Sequence, residues 1–231
     1  MKTIAIIPAR YGSKRLVGKP LIQIQNKPLI QITYEAVLTS NLFDAIFITT
    51  ESKKIQQVAA SFGATCIMTS DKCKNGTERC AELSNKLDLH RNDIIINVQC
   101  DEPFIEKKHL EQILNLFNPK TQIGTLLSSI QDDEIHNESI VKAITTKDNT
   151  IINFSRKKNN LDNMCPLYKH IGIYGYRKQT LIEIAALKIT KRELAEKLEQ
   201  LRWIENDYRI SCDFVAENLI SINTKNDIKN L

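Results

Sequence analysis

The chain predicts an α/β fold, a mostly parallel, Rossmann-like sheet with helices on both faces. Three observations carry that expectation. Short β-branched, apolar runs alternate with segments whose apolar residues recur at helical spacing, the order that builds parallel sheets. The run at residues 94–98, IIINV, is almost continuously apolar, as a strand covered on both faces must be. The first run ends at Pro8 and opens into a loop of glycines and cations, where ligands gather beyond the carboxyl ends of parallel strands.

Residues 4–7 read as the first strand and 28–38 as a helix. A β-branched and aromatic strand at 45–49 leads into an amphipathic helix over 52–62, with Gly63 as its stop. A short strand at 65–68 precedes a helix over 77–87 that starts beside Gly76. After the strand at 94–98 come a helix around 107–116 and a strand near 124–129. The second half is less regular. Strands at 141–145 and 151–154 are joined by a Lys147-Asp148-Asn149 turn, and 156–166 is a polar, Asn-rich loop. A strand at 170–176, a helix at 178–187, a strongly charged helix at 193–206, and strands at 210–214 and 219–222 follow. With no internal repeat and no linker, residues 1–231 read as one domain, with a smaller lobe at about 130–176 packed on the same core.

Bulk composition narrows the function. Apolar content of 42% and charged content of 26% are ordinary for a globular protein. No segment approaches the roughly 18 apolar residues of a membrane span, and no leader pattern opens the chain, so a cytoplasmic protein without membrane insertion is expected. A net charge of +5 suits anionic small molecules. No basic tract or basic–aromatic interleaving argues for nucleic acid. Six cysteines contain no CxxC pair. Cys66, Cys73 and Cys80 are spaced too widely for a zinc knuckle, and reduced thiols are expected. His90, His109 and His136 lie on polar segments and are expected to be solvated.

Two motifs carry chemistry. In the loop after Pro8, Gly12 and Gly18 let backbone N–H groups approach an anion, and Arg10, Lys14, Arg15 and Lys19 supply charge with no acid among them. A solvated basic loop is the plain alternative. Interleaving with Gly and Pro directly after a buried strand favours a phosphate cradle, though neither the P-loop nor the GxGxxG spacing is present. The second motif, Asn97-Val-Gln-Cys-Asp-Glu-Pro103, places Asp101 and Glu102 where a strand runs out opposite that loop. Carboxylates beside a polyphosphate hold Mg²⁺; they also stabilise helix N-termini, and the two readings are compatible.

At this point the chain resembles the 3-deoxy-manno-octulosonate (Kdo) cytidylyltransferases, within the wider group of sugar-acid cytidylyltransferases. IPARYGSKRLVGKPL is similar to that family's IPARY-S-RL-GKPL, Gly76-Thr-Glu-Arg79 to GT[DE]R, and Asn97–Pro103 to NVQGDEP. Phe154-Ser-Arg156 matches FSR, YKHIGIYGYR at 168–177 matches almost letter for letter, and 193–202 matches ExxExLEQLR. The blocks run in order along essentially the whole chain.

The resemblance implies a nucleotidyltransferase fold, transfer of CMP from CTP to Kdo with release of pyrophosphate for lipopolysaccharide or capsule synthesis, Mg²⁺, and a homodimer contacting through the irregular lobe. It assigns the nucleotide to Pro8, Ala9, Arg10, Ser13, Arg15, Lys19, Gly76, Thr77 and Arg79, with Arg10, Lys19 and Asp101 catalytic. The sugar falls to Gln99, His170, Glu193, Glu196 and Gln200. On one helix, Glu193, Glu196 and Gln200 would share a face. Taken alone, such a face reads as solvated surface, and His170 as a core histidine; the family blocks turn both readings toward substrate. Alternatives are another anionic sugar acid, such as amino-Kdo or a sialic-acid-like substrate, or a non-catalytic nucleotide-binding homologue.

The chain departs from the family pattern at several positions. Val17 stands for Pro, Glu51 for Asp, Cys73 for His, Asn75 for Ser and Cys100 for Gly. Asn223 replaces the second metal-holding Asp of the family's VDT, so the metal pair becomes Asp101 and Asn223. A neutral carbonyl oxygen is accepted by Mg²⁺ but held more weakly than a carboxylate.

Overall fold

The structure, a computed structural model, describes residues 1–12, 16–162, 165–224 and 227–228. Strand β1 (Thr3–Pro8) leads through a small ribbon, β2 (Gln23–Ile24) and β3 (Lys27–Pro28), into helix α1 (Leu29–Thr39). Then come β4 (Ala45–Thr50), α2 (Lys53–Ser61), β5 (Cys66–Met68), α3 (Gly76–Lys86), β6 (Ile94–Val98), α4 (Lys107–Asn115) and β7 (Ile123–Ser129). A hairpin, β8 (Lys142–Thr145) and β9 (Ile151–Ser155), precedes the long strand β10 (Tyr168–Arg177). Helices α5 (Lys178–Ala186), α6 (Lys191–Glu196) and α7 (Gln200–Ile204) and strand β11 (Ile210–Val215) follow.

Among the described residues the main sheet has nine strands, in the order β11-β7-β10-β6-β1-β4-β5, with β8 and β9 added at the start of β10. β1 pairs in parallel with both β4 and β6, so successive crossovers leave it in opposite directions. Such a reversal opens a crevice at the carboxyl ends of β1 and β6, where α/β proteins bind ligands. β10 runs antiparallel between β6 and β7. The sheet is thus mixed on this side, and largely parallel elsewhere.

Both faces are covered, which explains the continuous apolar runs. Ala5 and Ile7 join a core with Leu29 and Val37 of α1, Ile55 of α2 and Leu110 of α4. Ile4 and Ile6 point the other way, toward Leu83 of α3, Leu181 of α5 and Trp203 of α7. A strand with helices on each side has no polar face to show. No helix among the described residues is long and apolar enough to cross a membrane, and the six cysteines are free.

Three expectations need correction, and one element was not foreseen. The β2–β3 ribbon went unread because its turn uses Gln25 and Asn26 in the left-handed region, φ 50° and 65°, without the usual glycine. The expected helix at 193–206 is broken: Lys197 adopts φ 56°, its N–H closes on the Glu193 carbonyl, and the following Leu198 is buried. Residues 219–222 form no strand. Their apolar spacing reflects Leu219 and Ile222 packed on the core, with the Ile222 N–H donated to the Asp101 carbonyl at 2.9 Å.

His109 is not solvated, although His90 and His136 are exposed. Its Nδ1 accepts the Glu106 N–H at 3.0 Å, so the proton sits on Nε2, 3.2 Å from Glu217 Oε2. The ring therefore closes the first turn of α4. His109→Ala is expected to destabilise the fold by about 1–3 kcal/mol, and His90→Ala by much less, because only the first leaves buried polar groups unpaired. Urea denaturation followed by circular dichroism measures both; equal midpoints would contradict the assignment.

Candidate active site

The crevice is built from the end of β6 outward. Cys100 is buried in the core, its carbonyl accepting the Thr33 hydroxyl at 2.9 Å, and burial and Asp101 push its thiol far from ionisation. Asp101 is partly open. Lys19 Nζ donates to Asp101 Oδ2 at 2.5 Å and to the Ile222 carbonyl at 2.9 Å. Gly18 makes that reach possible: at φ 68° it turns the loop into the short 3₁₀ turn that starts at Lys19. Neither acid caps the following helix, whose N-cap is Glu106. Glu102 is buried instead, accepting the Gly172 N–H at 3.1 Å and the Ser221 hydroxyl at 2.6 Å. Burial first, and then Asp101, raises its pKa to about 7.

Asn223 lines the same cavity as Asp101, and its backbone N–H donates to Asp227 Oδ2 at 2.7 Å. Asp101 and Asn223 together offer oxygen donors of the kind a hard dication takes, with room for substrate oxygens to complete the shell. The donor set fits Mg²⁺.

Three cavities, of about 490, 570 and 650 Å³, join into one cleft. Gln99 and Arg156 line all three. Gly76, the first residue of α3, stands so close to Gln99 and Pro8 that a Cβ there would lie 2.8 Å from Gln99 Nε2 and 3.2 Å from Pro8 Cγ, so a side chain would push Gln99 from its place in the wall. Pro8, Ala9, Arg10, Gly76 and Arg79 come together in the wall of the first cavity. Arg79 is buried and paired with Glu51 at 2.9 Å, so Glu51 performs a carboxylate's work one methylene longer than aspartate. Thr77 does not line that wall. It is buried, and its hydroxyl donates to Glu199 Oε1 at 2.7 Å. Ser13 and Arg15 lie outside the described residues.

The sugar-side expectations divide. Glu193 and Gln200 line the first cavity, but on separate helices because Lys197 breaks the chain between them. Glu196 is turned to the protein: it accepts the Ser155 hydroxyl and the Arg156 N–H, each at 3.0 Å, and the Asn160 amide. It clamps the loop after β9 rather than facing the cavity. Under the cavity lies a buried polar group. Arg202 stands 3.5 Å from Glu193 and Glu78 and 4.0 Å from Glu199. Burial raises Glu199 to about 7 and raises Glu193 as well.

His170 faces two cavities, edge-on to Phe154 and inclined against Tyr174. Its position depends on a bulge in β10, where the register with β7 shifts between Ile171 and Tyr174. The Thr125 hydroxyl donates to the Ile173 carbonyl at 2.8 Å and so has only a lone pair left for His170 Nε2 at 3.0 Å. Nε2 therefore carries the proton and Nδ1 is the acceptor. Burial, with Arg156 nearby, lowers the ring's pKa to about 3.

Sequence reasoning passed over Arg156, matched only as part of a block, as a site residue. Its guanidinium donates to the Glu138 and Ser139 carbonyls at 3.1 and 3.2 Å, strapping that segment over the cleft. Lys142 assists, fully buried, with Nζ on the Arg156 carbonyl at 2.8 Å. The signal in the sequence was a lysine inside a strand otherwise fit for the core.

The profile of the cytidylyltransferase family matches residues 4–211. The chain belongs to that family. Curated cytidylyltransferases resemble it along nearly their whole length. A 3-deoxy-manno-octulosonate cytidylyltransferase of Thermodesulfovibrio yellowstonii is 38% identical over 99% of this chain and 96% of its own. Another, from Francisella tularensis subsp. holarctica, is 39% identical over 92% and 90%. The solved structure of a CMP:2-keto-3-deoxy-manno-octonic acid synthetase complexed with CTP superposes with a TM-score of 0.91 at 33% identity, over 100% of this chain and 96% of that one. A 4-diphosphocytidyl-2C-methyl-D-erythritol synthase from Anaerococcus prevotii, 13% identical with a TM-score of 0.66, shares the fold alone.

The His170 assignment is open to direct measurement. Its imidazole NMR signals should stay those of the neutral, Nε2-protonated ring from about pH 8 down to about pH 5, since a lowered pKa keeps the proton off until more acid is added. A midpoint near the ordinary value of about 6.5 would contradict it.

Proposed function

We propose that this cytidylyltransferase transfers CMP from CTP to Kdo, releasing pyrophosphate, and works in the cytoplasm as a homodimer; sedimentation measures its oligomeric state. One observation carries the reading. Two cavities, one walled by Pro8, Arg10 and Gly76 and the other by Asp101, His170 and Asn223, meet at Gln99 and Arg156, with the Lys19–Asp101 pair beside the junction. The names borne by its relatives support the same chemistry.

Phosphoryl transfer of this kind needs positioning and charge neutralisation more than covalent catalysis. The sugar's anomeric hydroxyl oxygen forms a bond to the α-phosphorus as its O–H bond breaks, and the proton passes to solvent water. The bond from that phosphorus to the bridging oxygen breaks, and pyrophosphate leaves with the electron pair. The Pro8–Arg10 backbone and Gly76 bound the base, and Arg79, fixed by Glu51, backs that wall. Arg10 and Lys19 face the phosphates, with Ser13 and Arg15 on the same loop. Neutral His170 offers Nδ1 to a sugar hydroxyl, and Gln99, Glu193 and Gln200 meet others. Asp101 and Asn223 would hold Mg²⁺, which when bound offsets the negative charge on the phosphates. Asp101 also orients Lys19, so the cation is in place before substrate arrives.

Pyrophosphate release tests the whole reading. It should require CTP and Kdo together, with ATP, GTP and other sugar acids turned over far less. Lys19→Ala should lower kcat/KM by about a hundredfold. Equal turnover with a purine triphosphate, or unimpaired kinetics in that variant, would sink the assignment.

Asn223 supplies a second test. Its backbone is fixed by Asp227, so Asn223→Asp exchanges a carbonyl for a carboxylate at one place, and attraction to a dication rises steeply. The variant should need less Mg²⁺ for half-maximal activity, and its melting temperature should rise more on adding Mg²⁺ than the wild type's. Unchanged values for both would show that the metal is held elsewhere.

A further inference from the structure

The cations of the cleft fall into two groups. Lys19 is paired with Asp101, Arg79 with Glu51, and the Arg156 guanidinium holds backbone carbonyls. Arg10, Lys74 and Lys197 line both the cavity beside Gly76 and the cavity beside Lys19. Among the described residues, no hydrogen bond or ion pair engages the charged ends of these three. Like charges left unpaired around one opening repel each other, and a polyanion relieves that repulsion.

Lys197 carries a second signal. It caps α6 at φ 56°, ψ 44°, a conformation that glycine or asparagine adopts at less cost. Elsewhere among the described residues such positions fall to Gln25 in the β2–β3 turn and to Asn26, Asn41, Asn149 and Asp207. At Lys197 that backbone sets a cation, rather than a small turn residue, at the lip of the cavity. Lys74, from the other wall, directly precedes Asn75, the N-cap of α3.

We propose that Lys74 and Lys197, together with Arg10, bind the two terminal phosphates of CTP, the portion released as pyrophosphate. The inference rests on the cytidylyltransfer reading. A sugar acid brings one carboxylate, which one cation answers. Three unpaired cations answer a triphosphate tail, whose charge-assisted hydrogen bonds are short and strong.

Calorimetric titration of CTP and of CMP into the wild type, Lys74→Gln, Lys197→Gly and the double variant tests it. Each lysine lost should weaken CTP roughly tenfold while CMP changes little, and the penalty should shrink as salt is raised. Lys197→Gly should not lower the melting temperature, because glycine relaxes the left-handed backbone; weaker CTP binding in a protein no less stable is what a merely structural lysine would not produce. Variants that keep the wild-type preference for CTP over CMP would overturn the inference, as would variants whose only change is a raised KM for the sugar acid. A wild type that binds neither CTP nor CMP would overturn the cytidylyltransfer reading, and this inference with it.

Discussion

The cleft depends on what happens as the chain leaves β6. Within two residues, Asp101 and Glu102 secure three separate segments. Asp101 takes Lys19 on its carboxylate and the Ile222 N–H on its carbonyl, while Glu102 takes Gly172 and Ser221. The first loop, the β10 bulge and the stretch from 219 to 223 are all referred to one point. A buried carboxylate is costly unless its oxygens are bonded, and bonding them fixes the elements that supply the donors. Gly172 has to be glycine here: a Cβ would lie 2.7 Å from Glu102 Oε1.

From that anchor the sugar side follows. The bulge turns His170 toward the cavities, Thr125 settles its tautomer, and Phe154 and Tyr174 hold the ring from two sides. On the far wall, Glu196 and Lys142 fix the segment that carries Arg156. Acids and cations that look like substrate ligands on paper are in part the supports of other ligands.

Much of this was legible in the sequence. The strands of the central sheet announced themselves because residues covered on both faces have no polar alternation to hide them. The loop after Pro8 and the turn at Gly76 were readable because glycine there answers a spatial demand. What escaped has a common cause: contacts between residues far apart in the chain. Thr77 spends its hydroxyl on Glu199, and Glu196 serves the loop after β9, because tertiary neighbours claimed them. Lys197 broke a helix whose periodicity was sound, and His109, set among charges, turned inward to close the first turn of α4. Local pattern fixes elements well and allocates side chains poorly.

Trp203, the chain's single tryptophan, lies fully buried at the back of the first cavity, its ring edge-on to Tyr174 at 5.3 Å and to Tyr176 at 5.8 Å. Tyr174 is itself part of the cavity wall. An indole so placed is an optical reporter supplied by the fold, one tyrosine removed from the ligand. Occupancy of the cavity alters the dielectric and the ring geometry around it, so its emission follows filling without any attached dye. Every other fluorophore in the protein is a tyrosine or phenylalanine, so that signal comes from one known place.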